Sequence, residues 1–372
     1  MTKIFISIPW FLPAYRAGGP IQSVANLVNE FTEGVEYYIF TSDTDLNGAA
    51  LDNLTVNEWI DYNKYTKVWY AGPEKISDSL VKQVESIKPD ILFIIGVFSW
   101  HFNLVPVMFC KAPKKILSTR GMLHPGALSE KKWKKKIFLQ VFKLLEYHYK
   151  VLFHATDEEE RKYITNQFGK PATIFTAGNY PSNIGSLVHG KKEVGSLKLV
   201  SIAILSAMKN ILLVLQALQT VEETIQYDIY GPVRDENYRD DCLLQIKALP
   251  KNVSVFVHKE IEPHEVKGVL EKADVFILPS KSENFGHAMY EALSAGLPLI
   301  TSHHTPWIKL ENAKAGINVD LKDITEISSA ISQFAGMEEE VFEEWRQGAL
   351  RYAANAIDKE VIKKKYEEMF FG

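Results

Sequence analysis

Short apolar runs alternate with segments of helical periodicity along most of the chain. The runs Lys3–Pro9, Ile91–Val97 and Val253–Val257 are almost continuously apolar, as strands buried on both faces of a sheet are. Between such runs, segments such as Ile21–Val28 place apolar residues three and four positions apart, which is typical of a helix with one buried face. This alternation predicts an α/β fold built on open, doubly wound parallel sheets.

The alternation is interrupted by the segment SNIGSLVHGKKEVGS, residues 182–196, and then restarts. The segment is polar and contains glycine, so we interpret it as an interdomain linker. A chain of 372 residues has room for about two domains that each bury a core. We therefore predict one domain over residues 1–188 and a second over residues 189–356.

Composition and charge restrict the class of protein. The net charge of -4 and the pI of about 6.2 do not favour a nucleic-acid-binding protein. The two cysteines, Cys110 and Cys242, are far apart in sequence, which favours a reducing compartment over a disulfide framework. The sequence shows no Cys/His pattern with metal-ligand spacing, no secretory leader and no apolar run of membrane-spanning length. We expect a cytoplasmic protein that uses no metal.

Residues 279–302, PSKSENFGHAMYEALSAGLPLITS, are the most informative stretch for function. They follow an apolar run and predict a loop, a helix and a further strand. Glu283 and Glu291 are eight residues apart, which corresponds to roughly 12 Å along a helix and suits the two ends of an elongated ligand. Gly286 lets the backbone approach a ligand, and the N–H groups of a helix start attract anions. We predict a nucleotide-sugar diphosphate at this position.

The E-x7-E pattern that encloses Phe285 and Gly286, followed by EALSAGLPLI, resembles the retaining glycosyltransferases of the GT-B fold, family 4. The resemblance implies two Rossmann-like domains that face a central cleft, with a C-terminal helix, residues 357–372, crossing back to the N-terminal domain. It implies an N-terminal acceptor domain and a C-terminal donor domain. The activity it implies is metal-independent transfer of a sugar, with retention, from a UDP- or GDP-linked donor to the hydroxyl of a glycan or lipid-linked acceptor. Bacterial surface polysaccharide, lipopolysaccharide or glycolipid biosynthesis is the expected setting, without any further cofactor.

The resemblance also assigns roles to individual residues. Lys209 would stabilise the departing diphosphate, Glu283 would contact the transferred sugar, and Glu291 would hold the ribose hydroxyls. Arg120 lies in the segment RGMLHPGALSEKKWKKK, which is similar to an element of some family members, and is predicted to contact the substrate. The other predicted donor contacts are Gly18 and Gly19 after the first strand, His258 in the loop that seats the nucleobase, and Asn284, Phe285 and Gly286.

The turn after the first strand of the second domain departs from the family pattern. Its residues Ser206, Lys209 and Asn210 match, but Ile204 stands where the family has an arginine that helps to neutralise the diphosphate. A single ammonium supplies half of the usual charge. Either another cation, such as Arg234 or Arg120, replaces the missing arginine, or the protein is slow or inactive.

Lys131–Lys136 and the apolar residues that follow predict a basic amphipathic helix, which can lie on an anionic membrane surface. The alternative is a helix packed on the N-terminal domain with a solvated lysine face. Two alternatives to a transferase also remain at this stage: a nucleotide-sugar epimerase of the same fold, and a non-catalytic two-lobed ligand-binding protein.

Overall fold

The protein forms two compact units, as shown by a computed structural model that describes residues 1–129, 131–169, 173–182, 184–187 and 190–372. The first unit comprises Met1–Tyr180 together with Lys359–Gly372, and the second comprises Pro181–Asp358. The predicted boundary between 188 and 189 lies outside the described residues. The second boundary, predicted between 356 and 357, lies close to the observed change of unit after Asp358. The assignment of the units to acceptor and donor stays a prediction.

The first unit is an α/β unit with one sheet. Its strands are β1 (Thr2–Ser7), β2 (Val35–Ser42), β3 (Trp59–Asn63), β4 (Thr66–Ala71), β5 (Ile91–Ile95), β6 (Lys114–Ser118), β7 (Leu152–Ala155) and β8 (Ile174–Thr176). Its helices before the tail are α1 (Gly19–Glu30), α2 (Ile76–Ile87), α3 (Val105–Phe109), α4 (Pro125–Ser129), α5 (Lys132–Leu144) and α6 (Glu158–Phe168). The strand order is β3-β4-β2-β1-β5-β6-β7-β8.

The centre of this sheet explains the continuous apolar runs in the sequence. All five residues of β5 are buried, because helices cover both faces of a parallel sheet. One strand of this sheet was not predicted: β3 pairs antiparallel with β4 at the edge of the sheet. An added antiparallel edge strand is common in sheets of this kind, and β3 carries no fully buried residue that would mark it in the sequence.

The second unit repeats the architecture with a wholly parallel sheet. Its strands are β9 (Ser196–Ile202), β10 (Thr224–Tyr230), β11 (Val253–Val257), β12 (Val275–Leu278), β13 (Leu299–Ser302) and β14 (Gly316–Val319), in the order β11-β10-β9-β12-β13-β14. Its helices are α7 (Ile211–Ala217), α8 (Glu236–Lys247), α9 (Val266–Leu270), α10 (His287–Ser294), α11 (Ile324–Ala335) and α12 (Glu339–Ala356). β9 and β12 are neighbours at the centre, so the loops that follow them lie side by side at the carboxyl edge.

The last helix, α13 (Lys359–Phe371), belongs to the first unit, as predicted. Tyr366 and Phe370 are almost completely buried. The ring of Phe370 lies 5.8 Å from that of Phe31, the residue that follows α1. Phe371 also reaches Phe31 but stays half exposed. Among the described helices, none is both long enough and apolar enough to cross a membrane.

Candidate functional site

Glu283 lies in the loop between β12 and α10, where two hydrogen bonds within the second unit hold it. Its backbone N–H donates to the carbonyl of His304 at 3.2 Å, and its Oε1 accepts from the hydroxyl of Ser280 at 2.7 Å. Because α10 begins only at His287, Glu283 and Glu291 do not share a helix. The predicted separation of roughly 12 Å assumed that a helix joins the two residues, and this assumption was wrong. The loop determines where Glu283 lies.

Lys209 reaches this loop from the turn after β9. Its ammonium lies 2.5 Å from Oε1 of Glu283, and both side chains are largely buried. The two loops are also joined through the backbone, because the N–H of Lys281 donates to the carbonyl of Met208 at 2.9 Å. The predicted cation and the first predicted carboxylate are thus brought together at the carboxyl edge of the sheet, where parallel α/β sheets bind their ligands.

The start of α10 is shaped by Gly286. Its φ of 74° is in the left-handed region that glycine adopts without cost, and no side chain caps the helix. A Cβ atom there would stand 3.1 Å from Sδ of Met289 and 3.2 Å from Nε1 of Trp307. Asn284 and Phe285 complete the loop, and the Phe285 ring packs edge-on to Trp307. The positive end of the helix dipole therefore faces a loop whose backbone can approach a ligand closely.

Glu291 lies in the second turn of α10. Within the part of the chain that the structure describes, its carboxylate has no hydrogen bond and no ion pair. Burial raises the pKa of this carboxyl to about 7, because the charged form loses hydration without gaining a compensating contact. An acceptor in this state is suited to ligand hydroxyl groups.

His258 follows β11, two strands away from β9 in the sheet order. Its ring stacks on Tyr230 with centroids 4.2 Å apart and an interplanar angle of 9°. Its Nε2 lies 2.6 Å from Oδ1 of Asp228, which fixes the ring orientation. The structure does not bring His258 into contact with Lys209 or Glu283. The role of His258 at the nucleobase stays a prediction, and the contacts with Tyr230 and Asp228 define the plane of its ring.

Ile204 leaves the turn after β9 without the arginine of the resembled family. The neighbouring segment is held by its backbone: the N–H of Leu205 donates to Pro232 at 2.9 Å, and that of Arg234 donates to Leu205 at 3.4 Å. Arg234 therefore lies beside the turn, on an exposed segment. Its predicted role as the replacing cation is untested. No group of three or more His, Cys, Asp or Glu side chains among the described residues is placed to hold a metal ion.

Gly18, Gly19 and Arg120 lie in the first unit. Gly18 precedes α1 with a φ of 70°, and an added Cβ would meet nothing within 4 Å, so its surroundings are open. Sequence reasoning missed the residue that holds the preceding loop: buried Asp45 accepts the N–H groups of Tyr15 and Arg16 at 3.2 and 3.3 Å. The sequence did offer a signal for Asp45, because it lies in a polar loop just after β2, at the same edge of the sheet as the loop that precedes α1.

Arg120 follows β6 and has a φ of 48°. Its Nη1 donates a hydrogen bond to Oδ1 of Asn179. A second residue that sequence reasoning missed, Glu160, holds the loop on either side of Arg120 through the Thr119 hydroxyl at 2.6 Å and the Gly121 N–H at 2.5 Å. Arg120 is therefore placed by a rigid loop at the carboxyl edge of the first sheet.

Comparisons of the sequence and of the fold with known proteins both find glycosyltransferases. Residues 188–349 match the family described as Glycosyl transferases group 1. A segment of 109 residues is 28% identical to WcaL of Salmonella typhimurium, whose description assigns it to colanic acid biosynthesis as a glycosyltransferase. That segment is 27% of this chain and 27% of WcaL, so the similarity spans about a quarter of the relative's length.

Several solved structures share the fold over almost the whole chain. Alr3699/HepE of Anabaena, in complex with UDP and glucose, has a TM-score of 0.71 at 13% identity, covering 99% of each chain. WaaG, a glycosyltransferase involved in lipopolysaccharide biosynthesis, has a TM-score of 0.67 at 11% identity, covering 100% of each. TarM of S. aureus, in complex with UDP, has a TM-score of 0.71 at 14% identity, also covering 100% of each. The solved structures confirm the predicted fold, and the family match agrees with the predicted resemblance over residues 188–349.

Proposed function

We propose that this relative of the GT-B glycosyltransferases transfers a sugar from a nucleotide-diphosphate sugar to an acceptor hydroxyl, with retention and without a metal. The observation that carries the proposal is the meeting of Lys209, Glu283 and the start of α10 in the second unit. These groups supply a positive charge, a carboxylate and a helix dipole at one edge of one sheet. The positive charge and the helix dipole suit the diphosphate, and the carboxylate suits the sugar, where positive charge develops.

The departing diphosphate is the group that this arrangement stabilises. Negative charge develops on the β-phosphate as the bond to the sugar breaks, and donors already in place cost no reorganisation at that moment. Lys209 supplies a charge-assisted hydrogen bond, and the backbone at Gly286 supplies the helix dipole. Arg234 is our candidate for the second cation, because its segment is bonded to the turn that contains Ile204.

The two carboxylates take different roles because their surroundings differ. Glu291, whose carboxylate has no partner among the described residues, accepts the ribose hydroxyls of the donor. Glu283, held by Lys209 and Ser280, lies at the sugar side and favours positive charge at the anomeric carbon. Because Oε1 of Glu283 is already engaged, we assign it no role as a covalent nucleophile. The acceptor then attacks on the face that the phosphate leaves, which gives retention.

UDP-linked sugars are the first donors to test, because HepE and TarM are described in complex with UDP. The descriptions of WcaL and WaaG make polysaccharide or lipopolysaccharide assembly the first setting to test. We place the reaction on the cytoplasmic side of the membrane, as a proposal that follows from the donor. The acceptor is then a growing glycan or a lipid-linked saccharide.

A thermal-shift screen with UDP, GDP, ADP and their sugars tests the proposal first. A ligand that binds only the folded state raises the melting temperature by mass action, so one nucleotide should stand out. Incubation of the matching labelled nucleotide sugar without acceptor should then release nucleotide slowly by hydrolysis. An epimeric product, or binding without any turnover, would contradict a transferase.

We also propose that α5 attaches the first unit to an anionic membrane. One face of this helix exposes a row of apolar side chains at helical spacing, in which Trp133 is 74% and Leu144 is 81% exposed. The row is Trp133, Ile137, Val141 and Leu144. Lys131, Lys132, Lys134 and Lys136 are exposed at the start of the same helix. Lys135 does not belong to this group, since it donates to the carbonyl of Ala127 at 2.6 Å.

A further inference from the structure

Arg120 is held in a backbone conformation that few residues other than glycine adopt. Its φ of 48° is in the left-handed region, which is unfavourable for a residue with a side chain. Glu160, itself buried, fixes this conformation by binding the residues before and after it, and its Oε2 accepts from the N–H and hydroxyl of Thr156 at 2.7 and 2.8 Å.

The guanidinium of Arg120 is only partly satisfied by the protein. Nη1 donates to Asn179, whereas Nε and Nη2 are buried and have no acceptor among the described residues. Nε–H and Nη2–H point the same way and form one edge of the planar group. This edge is the fork that binds a carboxylate or a phosphate through two parallel hydrogen bonds. The two unsatisfied donors are thus a matched pair, and a buried donor without an acceptor is unfavourable.

The charge of Arg120 is also not neutralised by an ion pair among the described residues. Burial, with the Arg120 charge as a further cause, lowers the pKa of His154 to about 3, so that imidazole is neutral. Burial raises the pKa of Tyr366, while the Arg120 charge and a hydrogen bond from Arg120 to the phenol act in the opposite direction, so this hydrogen-bond partner is neutral as well. Glu160 is occupied by donors from Thr119, Gly121 and Thr156, and makes no ion pair with Arg120.

We infer that Arg120 binds an anionic group of the acceptor, a carboxylate or a phosphate, at the carboxyl edge of the first sheet. The assignment of this anionic group to the acceptor rests on the proposed function, whereas the anion site itself rests on contacts within the first unit alone. The acceptor class is then an acidic saccharide, such as one with a uronate, or a saccharide attached to a phosphate. A neutral sugar would leave the fork unfilled.

The test is a titration of the full chain in the presence of saturating UDP, which occupies the donor site. D-Glucuronate and glycerol 3-phosphate are the probes, with glucose and glycerol as their neutral counterparts, and binding is measured by calorimetry. At least one anion should bind more tightly than its neutral counterpart, and the better anion distinguishes a uronate from a phosphate. Arg120→Gln should lower the affinity for that anion at least tenfold. Arg161→Gln, which removes an exposed charge from the same unit, should not change it.

A second variant keeps the inference testable if Arg120→Gln fails to fold. Asn179→Asp places a carboxylate where Nη1 already donates, so it neutralises Arg120 from within. This variant should keep the melting temperature of the wild type, and its affinity for the anion should be at least tenfold lower. Equal binding of anions by wild type and both folded variants would overturn the inference, as would the absence of binding by either anion.

UDP binding by the same proteins separates this inference from the proposed function. Wild type, Arg120→Gln and Asn179→Asp should bind UDP equally. A loss of UDP binding in Arg120→Gln would move the arginine to the donor and overturn the inference. Failure of wild type to bind any nucleotide would contradict the proposed function, while the anion titration, repeated without UDP, would still decide whether Arg120 is an anion receptor.

Discussion

The ammonium of Lys209 donates to Oε1 of Glu283 at 2.5 Å, across 74 residues of sequence. In the proposed reaction both groups contact the donor, so the diphosphate competes with Glu283 for the lysine. Without a donor, the ion pair holds both side chains in place at a largely buried edge of the sheet. Its effect on donor affinity depends on whether the diphosphate binds Lys209 more strongly than Glu283 does.

Replacing Lys209 should affect nucleotide binding, and replacing Glu283 should affect turnover. Lys209→Met should weaken UDP roughly tenfold or more, because a hydrogen bond to a charged group contributes about 1.5–3 kcal/mol. Glu283→Gln frees the ammonium, so UDP affinity should stay equal or rise while hydrolysis of the donor falls. Calorimetry and a nucleotide-release assay measure the two. Lys251→Met, at an exposed position before β11, is the control and should change neither. Unchanged UDP affinity in Lys209→Met would remove the lysine from the diphosphate site.

The affinity for a UDP-sugar should depend on pH through Glu291. The pKa of this carboxyl is raised to about 7 by burial, and only the ionised form accepts both ribose hydroxyls. Its ionised fraction grows about tenfold from pH 6 to pH 8, so the Kd should fall by about that factor and level off above pH 8. UDP-glucose is the better probe, because it lacks the terminal phosphate ionisation of UDP. Glu291→Gln should bind more weakly and lose the dependence; an unaltered pH profile in this variant would exclude Glu291 as its origin.

Gly286 should tolerate alanine poorly, and a second glycine provides the comparison. Gly286→Ala imposes a left-handed conformation that costs about 1–2 kcal/mol and drives a Cβ towards Met289 and Trp307. Gly268, inside α9, has open space around its Cβ position, so Gly268→Ala should be neutral or stabilising by about 0.5–1 kcal/mol. Urea unfolding measures both free energies. Equal stability of the two variants would show that the loop before α10 adapts.

Two adjacent phenylalanines test the packing of α13 on the first unit. Phe370 is 3% exposed, and Phe370→Ala should cost about 3–5 kcal/mol, as expected for a buried aromatic side chain. Phe371 is 49% exposed, and Phe371→Ala should cost much less. Thermal and urea unfolding give the comparison. Similar small losses in both would mean that the tail does not contribute to the core of the unit.

Binding to anionic vesicles should depend on both parts of the α5 surface. Changing Lys131, Lys132, Lys134 and Lys136 to Gln should reduce sedimentation with such vesicles strongly, since each lysine near the surface contributes about 1 kcal/mol. Trp133→Ser with Leu144→Ser should also reduce it, through lost apolar insertion. The control changes the exposed lysines Lys82, Lys88, Lys364 and Lys365 to Gln, which removes the same charge elsewhere on the unit. Equal losses in the control would reduce the effect to net charge alone.

The sequence was sufficient for strands that leave continuous apolar runs, as in β5 and β12, but it did not predict the short strand β14 at one edge of the second sheet. It was insufficient for β3, since an edge strand without fully buried residues leaves no such signal. It identified Lys209, Glu283 and Gly286 but not the contact between the first two, because partners 74 residues apart are joined only by the adjacency of β9 and β12. Glu160 was missed for the same reason: its sequence position marks a helix start, and its contact with the Arg120 loop is long-range.

The location of the diphosphate in a crystal structure with a bound UDP-sugar tests the central claim most directly. We predict that the β-phosphate lies about 3 Å from Nζ of Lys209 and beside the first turn of α10, with the ribose hydroxyls on Glu291. A nucleotide seated away from α10, with Lys209 still paired to Glu283, would contradict the account.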